Sequence, residues 1–260
     1  MEYKAEDVRT ISDAFRDGLR AILGSKLVGV YLYGALVFPE AAPTGDIDFH
    51  VILKETLTDD ERSALQALHE ALAERFPPLG AELDGYYILL EDARRKKPPR
   101  SQMWNGATDH SWALYREHVR AGRCIILYGP NPNEIYLPAA WPEIESALLS
   151  ELAFVEQHPH EYPDYCILNL CRLMYSFETL DVVISKTMAA EWAYEALPAW
   201  RYFIDLARKA YAGQATAQER ELMLAEIDGL LEFAQAHIQA SRQARQGQGA
   251  AGIRLHTADL

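Results

Sequence analysis

Apolar positions recur with a helical period in two segments of the first hundred residues. Residues 7–23 carry an apolar residue every three or four positions, which predicts an amphipathic helix with one buried stripe. Residues 58–76 repeat that spacing and open on Thr58 and Glu61, the pattern of a capping box. The polar faces of both segments indicate helices that lie on the surface of a folded domain.

Other apolar runs in the same region have strand character. Residues 26–34 and 47–53 are rich in β-branched and aromatic side chains, and residues 83–90 follow the same pattern. A basic segment with two prolines, residues 92–110, reads as a turn or linker, and a helix from Trp112 leads into a further short strand. Helices that alternate with strands are typical of an α/β domain with a mixed sheet.

After Pro142 every long segment has helical period, which predicts an all-α bundle of five amphipathic helices over residues 143–158, 165–183, 188–197, 199–213 and 219–239. The last residues are rich in Gln, Gly and Ala and predict a flexible tail. We therefore expect an α/β domain over 1–140, a helical bundle over 141–241 and a flexible tail over 242–260.

Composition narrows the class of protein only modestly. The 260 residues are 49% hydrophobic and 24% charged, as in a globular protein, and no apolar run or signal-peptide pattern predicts a membrane segment. A cytoplasmic monomer is the expectation. The formal net charge of −13 disfavours nucleic acid as a partner and favours a cationic one, and an acidity that only keeps the protein soluble explains the charge equally well. Three cysteines without metal-ligand spacing read as buried thiols.

The chemistry of the chain concentrates in the stretch GDIDFH. Asp46 and Asp48 stand two residues apart at the start of a strand, so they share one face about 7 Å apart. Carboxylates at this spacing can hold Mg²⁺ together with substrate phosphates. Asp-x-Asp alone also occurs by chance in turns and helix starts, and His50 on the same face reads as a buried, hydrogen-bonded histidine.

Two further features support a phosphate-handling site. The first strand ends in Gly34 and Ala35, whose small size lets backbone N–H groups approach an anion. The third strand offers Glu82 and Asp84 on one face, and Asp84 is selected because it is the last acid before the apolar run. A third carboxylate on a neighbouring strand would complete the set.

These residues resemble the signature of the nucleotidyltransferase (DNA polymerase β-like) superfamily, a small-residue pair followed on the next strand by Asp-hydrophobic-Asp. The segments LCRLMYS, KTMAAEWAYEALP and ARKAYAG further resemble the helical domain of the aminoglycoside adenylyltransferases that modify streptomycin and spectinomycin. The resemblance covers most of residues 25–215. It implies that ATP and Mg²⁺ bind and that the helical bundle closes the nucleotide cleft.

The resemblance also implies residue roles. Asp46, Asp48 and Asp84 would form the metal and catalytic group, with Asp84 as the general base. Gly34, Ala35 and Gly45 would surround the phosphates, and nucleotide contacts from the bundle are implied for Arg172, Lys186 and Tyr211. Without the resemblance, the bundle residues read as an ion pair of Arg172 with Glu178 or with a neighbouring helix, a surface lysine and a core tyrosine.

The predicted reaction is transfer of AMP from ATP to a hydroxyl of a cationic aminoglycoside or aminocyclitol, with antibiotic resistance as the outcome. Trp104, Trp112, Glu161 and Asp164 are candidate substrate contacts. Two alternatives stay open. One is nucleotidyl transfer to another small molecule or to a protein. The other is a nucleotide-binding relative that has lost catalysis, because Ala35, Gly45 and the short Asp84 depart from the family pattern.

Overall fold

The computed structural model describes residues 5–39 and 46–256, which form a mixed α/β unit followed by helices. The strands are β1 (Leu27–Tyr33), β2 (Ile47–Leu53), β3 (Leu83–Leu89) and β4 (Ile125–Tyr128). The helices are α1 (Ala5–Leu23), α2 (Asp59–Arg75), α3 (Leu90–Ala93), α4 (Trp112–Arg120), α5 (Trp141–Gln157), α6 (Pro163–Thr179), α7 (Lys186–Ala196), α8 (Arg201–Tyr211) and α9 (Ala217–His256). The predicted fold class, a mixed sheet followed by an all-α region, is confirmed.

The chain divides into two compact units between Ser150 and Glu151, within α5. The first unit is built on a four-stranded sheet in the order β3-β2-β1-β4. Strand β1 runs antiparallel to both of its neighbours, whereas β2 and β3 are parallel. The parallel pair needs a crossover, and α2 supplies it.

One face of this sheet is covered by α1 and α2, because their apolar stripes meet the alternate residues of the strands. Phe15 of α1 packs edge-on against Phe49 of β2 with ring centroids 4.9 Å apart, and both are fully buried. Helix α2 begins with the predicted capping box: the Glu61 N–H donates to the Thr58 hydroxyl and the Thr58 N–H donates to the Glu61 carboxylate. The opposite face carries the acidic residues of β2 and β3.

The second unit comprises the end of α5 and helices α6 to α9, and α6 contributes its most buried stretch. Helix α9 continues to His256, into the segment where the sequence predicts a flexible tail from residue 242. The Gln and Ala residues that favour a tail by composition are also good helix formers, so no local signal ends the helix at residue 241. Within the described part of the chain, no helix combines the length and apolar character that crossing a membrane requires.

His69 makes the stability of the first unit depend on pH. Its Nε2 lies 2.9 Å from the Tyr87 hydroxyl, and its ring packs between Phe49 and Trp104. Burial among these rings lowers the pKa of His69 to about 4. Since the unfolded chain binds a proton near pH 6.5 and the folded chain does not, the free energy of unfolding falls as pH drops from 6.5 to 4, by on the order of 3 kcal/mol.

Urea unfolding of the parent protein and of His69→Gln at pH 4.5, 5.5 and 7 tests this expectation. The difference in unfolding free energy between the two proteins should shrink toward low pH, because only the parent has a buried imidazole to protonate. His110→Gln, which replaces an exposed histidine, is the control and should leave the pH dependence of the parent unchanged. A parent and His69→Gln that lose stability in parallel would contradict the assignment.

Candidate active site

Strands β2 and β3 bring four carboxylates to one face of the sheet. Asp48 and Asp84 are direct partners in the parallel register, and Asp46 and Glu82 are the residues immediately before β2 and β3. Paired residues of parallel strands point to the same side, so the group lies together. We call Asp46, Asp48, Glu82 and Asp84 the acidic cluster.

Gly34 closes one side of this cluster. It follows β1 with φ at +74°, a left-handed conformation that favours glycine. A Cβ atom at this position would overlap Oδ2 of Asp48 and lie 2.6 Å from its Cγ. The sequence predicts that Gly34 lets backbone approach an anion; in the structure, the group that approaches it is the Asp48 carboxylate of the protein itself. Ala35 lies next in the same short 3-10 turn, Gly34–Val37.

The carboxylates of the cluster alter one another's protonation. Burial, a hydrogen bond to Asp46 and the charge of Asp46 all raise the pKa of Glu82. The pKa of Asp84 is also raised, by loss of hydration and by the charge of Asp46, against the opposing effect of the Gly85 N–H. A hydrogen bond between two carboxyl groups requires that they share a proton. Full ionisation of the acidic cluster is therefore unfavourable. Sequence reasoning had set Glu82 aside, although its alternation with Asp84 was visible.

An all-oxygen donor set under mutual repulsion fits Mg²⁺, because a divalent cation would relieve the repulsion that raises these pKa values. Among the described residues, no three His, Cys, Asp or Glu side chains are arranged as a ready-made metal site. This is compatible with Mg²⁺, which is commonly held by one or two carboxylates plus substrate phosphates. Asp46 and Asp48 remain the predicted pair, and Gly45 lies outside the described residues.

The two candidate tryptophans of the first unit differ sharply. Trp104 is 37% exposed, and its indole N–H donates a 3.0 Å hydrogen bond to the carbonyl of Gly85, the residue after Asp84. Trp112 is fully buried and packs against His50 and Tyr136 at centroid distances of 5.3 and 5.5 Å. The prediction that Trp112 contacts substrate is therefore wrong: its place on the inner face of α4 makes it a core residue.

His50 is buried as the sequence indicates. Its Nδ1 lies 3.3 Å from the Tyr136 hydroxyl and its Nε2 lies 3.5 Å from the Asp109 carboxylate. The side chain is fully enclosed by aromatic rings, including Tyr33 at 4.3 Å between centroids. These contacts give His50 a structural role behind the acidic cluster.

In the second unit, Arg172 is part of an ion pair. Its Nη2 donates to Oε2 of Glu151 over 3.3 Å, and the buried Asn169 amide donates to the same oxygen over 3.1 Å. The alternative partner suggested by the sequence, Glu178, instead contacts His237 at 3.0 Å. Helix spacing alone does not reveal Glu151, because it lies on α5 rather than on α6.

Lys186 and Tyr211 lie together in the same unit. Lys186 begins α7 after the N-cap Ser185, and Tyr211 ends α8. The Lys186 ammonium is 4.0 Å from the ring centroid of Tyr165 and 5.5 Å from that of Tyr211. Lys186 and Tyr211, two of the three residues implied to contact nucleotide, are therefore neighbours. Tyr165, which the sequence did not single out, lies beside Lys186 as well.

The two acidic substrate candidates lie near the start of α6. Glu161 is exposed and accepts a hydrogen bond from the Tyr162 hydroxyl, which raises the pKa of Tyr162. Asp164 lies in the first turn of α6, a position that favours a carboxylate. Both positions are also explained by their place at the start of α6, without any contact with substrate.

Comparison with known proteins identifies the helical region directly. Residues 139–248 match the family described as aminoglycoside adenylyltransferase, C-terminal domain. A spectinomycin 9-adenylyltransferase from Staphylococcus aureus is 23% identical over 248 residues, which cover 86% of this chain and 92% of that protein. An aminoglycoside (3'') (9) adenylyltransferase from Escherichia coli is 27% identical over 230 residues, with coverage of 80% and 84%.

A solved structure has the same fold. The spectinomycin adenyltransferase AAD(9) from Enterococcus faecialis, crystallised with ATP and spectinomycin, superposes with a TM-score of 0.71 at 18% identity. The match covers 88% of this chain and all of the solved one. At this level of identity the likeness concerns the fold.

The mixed sheet with its Asp-x-Asp strand and the helical second unit define a nucleotidyltransferase. Within that class, residues 139–248 match the C-terminal domain of the aminoglycoside adenylyltransferases, and the chain is similar to members of that family over most of its length, as its sequence motifs predict.

Proposed function

We propose that this protein transfers AMP from ATP to a hydroxyl group of an aminocyclitol or aminoglycoside, and so confers resistance to it. The observation that carries the proposal is the register of β2 and β3, which places Asp84 beside Asp48 on one face of the sheet. This transfer requires two carboxylates that hold a phosphate-bound metal ion. It also requires a third carboxylate beside them that accepts the proton of the hydroxyl group.

In the proposed reaction, the substrate hydroxyl oxygen forms a bond to the α-phosphorus of ATP. The bond from that phosphorus to the bridging oxygen breaks, and pyrophosphate leaves with the electron pair. Asp84 accepts the hydroxyl proton, and loss of hydration around its carboxylate favours uptake of that proton. Gly34 contributes by leaving Asp48 the space its carboxylate occupies.

Asp46 and Asp48 are the residues that would hold Mg²⁺. When bound, the ion supplies charge neutralisation for the triphosphate and the leaving pyrophosphate. Glu82 is not assigned a ligand role, because burial and its hydrogen bond to Asp46 raise its pKa and so disfavour its ionised form. Its proposed effect is to orient the Asp46 carboxylate.

The second unit is proposed to bind the same nucleotide through its cations. Arg172 offers a planar set of donors and Lys186 a compact charge, both of which suit phosphate oxygens. Tyr211 would offer its aromatic ring to adenine for stacking, beside the Lys186 ammonium. Glu151 would release one Arg172 donor, or share it, when phosphate binds.

Substrate recognition is proposed to use Trp104, Glu161 and Asp164. The Trp104 ring is anchored beside Asp84 and partly exposed, so it offers a wall for the carbon face of a sugar-like ring. Glu161 and Asp164 would attract ammonium groups, and the net charge of −13 favours approach of a cation generally. Spectinomycin is the first compound to test, because the Staphylococcus and Enterococcus relatives are both named for it.

The direct test is an adenylylation assay with purified protein, ATP labelled at the α-phosphate and a panel containing spectinomycin, streptomycin and other aminoglycosides. We expect label to move to at least one compound with release of pyrophosphate, and to stop when EDTA removes Mg²⁺. Expression in a sensitive bacterium should raise the inhibitory concentration of the same compound. A chain that binds ATP but labels no member of the panel would contradict the proposed substrate class and would favour transfer to another hydroxyl compound.

A further inference from the structure

The Lys186 ammonium is held by aromatic rings from two other helices. Tyr165 lies in the first turn of α6 and Tyr211 is the last residue of α8, while Lys186 is the first residue of α7. The nearer ring is that of Tyr165, at 4.0 Å from the ammonium nitrogen to the ring centroid, against 5.5 Å for Tyr211. We call Tyr165 and Tyr211 the aromatic bracket.

The bracket contributes to ordering the Lys186 side chain. Lysine loses more rotamer freedom on ordering than most residues, and a cation over a ring face is a directional contact that compensates for this loss. Tyr165 is itself held in place, because its ring meets Phe154 edge-on at 5.9 Å. Burial raises the pKa of the Tyr165 hydroxyl, so the ring stays neutral while Lys186 carries the charge.

Helix α7 gains nothing from a cation at its first position. The N-terminal end of a helix carries a partial positive charge, so a lysine there is mildly unfavourable for the helix itself. The same position suits an anion, because the first backbone N–H groups of the helix and the ammonium would both meet it. Arg172 and Glu151 both influence the Tyr165 hydroxyl electrostatically, which places the bracket near Arg172, a second cation implied for the nucleotide site.

We propose that Tyr165 is a positioning residue of the nucleotide site: with Tyr211 it holds the Lys186 ammonium where a phosphate group of ATP binds. The proposal rests on the proposed function, in which Lys186 binds the nucleotide. Tyr165 lies outside the sequence motifs that resemble the family, and the contact with Lys186 explains why an aromatic residue stands at position 165. Tyr165 acts through Lys186 and is not assigned a contact with substrate.

The test is a double-mutant cycle on nucleotide affinity, measured by calorimetry with ATP in the presence of Mg²⁺ and with adenosine as a probe without phosphates. Tyr165→Leu should weaken ATP binding about tenfold, as loss of a desolvated cation–π contact and of its ordering would. Lys186→Ala should weaken it at least as much. The double variant should bind ATP about as well as Lys186→Ala alone, because the two residues act as one unit.

Further variants separate positioning from a merely structural role. Tyr165→Phe keeps the aromatic ring, so the affinity of this variant for ATP should stay within about twofold of that of the parent. Adenosine affinity should stay constant across the cycle, since the contact concerns phosphate. Tyr202→Leu, which removes a tyrosine 57% exposed on α8, is the matched control. Tyr165→Met, of similar length and without a ring, replaces Tyr165→Leu if the latter does not fold.

These measurements separate the positioning role of Tyr165 from the proposed binding of nucleotide by Lys186. Full ATP affinity in Tyr165→Leu and Tyr165→Met, together with loss in Lys186→Ala, would overturn the positioning role and leave the Lys186 assignment intact. Additive losses in the double variant, or an equal loss of adenosine affinity, would overturn it as well. Unchanged ATP binding in Lys186→Ala would remove the assignment of Lys186 on which the inference rests, and the inference with it.

Discussion

Gly34→Ala is expected to abolish most of the activity while leaving the protein folded. The added Cβ would overlap the Asp48 carboxylate, so either that side chain or the turn after β1 must move. A displacement of about 1 Å in a reacting group can cost about 10²-fold in rate, and the loss here should be at least that large. The left-handed φ adds about 1 kcal/mol of destabilisation.

Gly122→Ala is the matched control for this substitution. Gly122 has φ at +81°, but nothing lies within 4 Å of the position its Cβ would occupy. It should therefore show the same loss of unfolding free energy without the loss of rate. AMP transfer and urea unfolding of the two variants separate backbone strain from the collision with Asp48. Equal rates in both variants would show that Gly34 matters only for its backbone conformation.

A carboxamide series across the acidic cluster should rank its members by role. Asp48→Asn and Asp46→Asn are expected to lower AMP transfer by about 10³-fold or more, since each would remove a ligand of an ion worth several kcal/mol of charge stabilisation. Asp84→Asn should cost about 10²- to 10⁴-fold through loss of the proton acceptor. Glu82→Gln makes the same charge change beside Asp46 and should cost far less.

Stability measurements make this series interpretable. Each carboxamide removes one negative charge from the acidic cluster, in which the charge of Asp46 raises the pKa of Glu82 and of Asp84, so thermal unfolding should stay at the parent temperature or rise. Loss of activity without loss of stability then reports on catalysis. If Glu82→Gln were inactive and Asp84→Asn active, the base would be Glu82. Full activity in Asp48→Asn would contradict the metal-binding role.

The elements of the fold were largely predictable because their signals are local. The capping box at Thr58 and Glu61, the apolar stripe of α1 and the strand character of β2 all depend on residues within a few positions of one another. The end of α9 was less predictable, since a sequence of good helix formers carries no stop signal.

The candidate site was predictable in part. Alternation along one strand places Asp46 and Asp48 on a common face, and the family motifs single out Asp84, Arg172, Lys186 and Tyr211. The sequence did not reveal that Trp112 faces the core, because a tryptophan at helical spacing has the same local pattern whether its helix face is covered or open.

Local patterns in the chain therefore specify the helices and strands, the mixed class of the fold and the pair of aspartates on β2. Only the tertiary structure decided that Asp84 pairs with Asp48, that Gly34 packs on the Asp48 carboxylate and that Tyr165 brackets Lys186. The physical reason is that periodicity and capping act between residues close in the chain. Strand register and contacts between helices join residues far apart in it, and these depend on how the whole core packs.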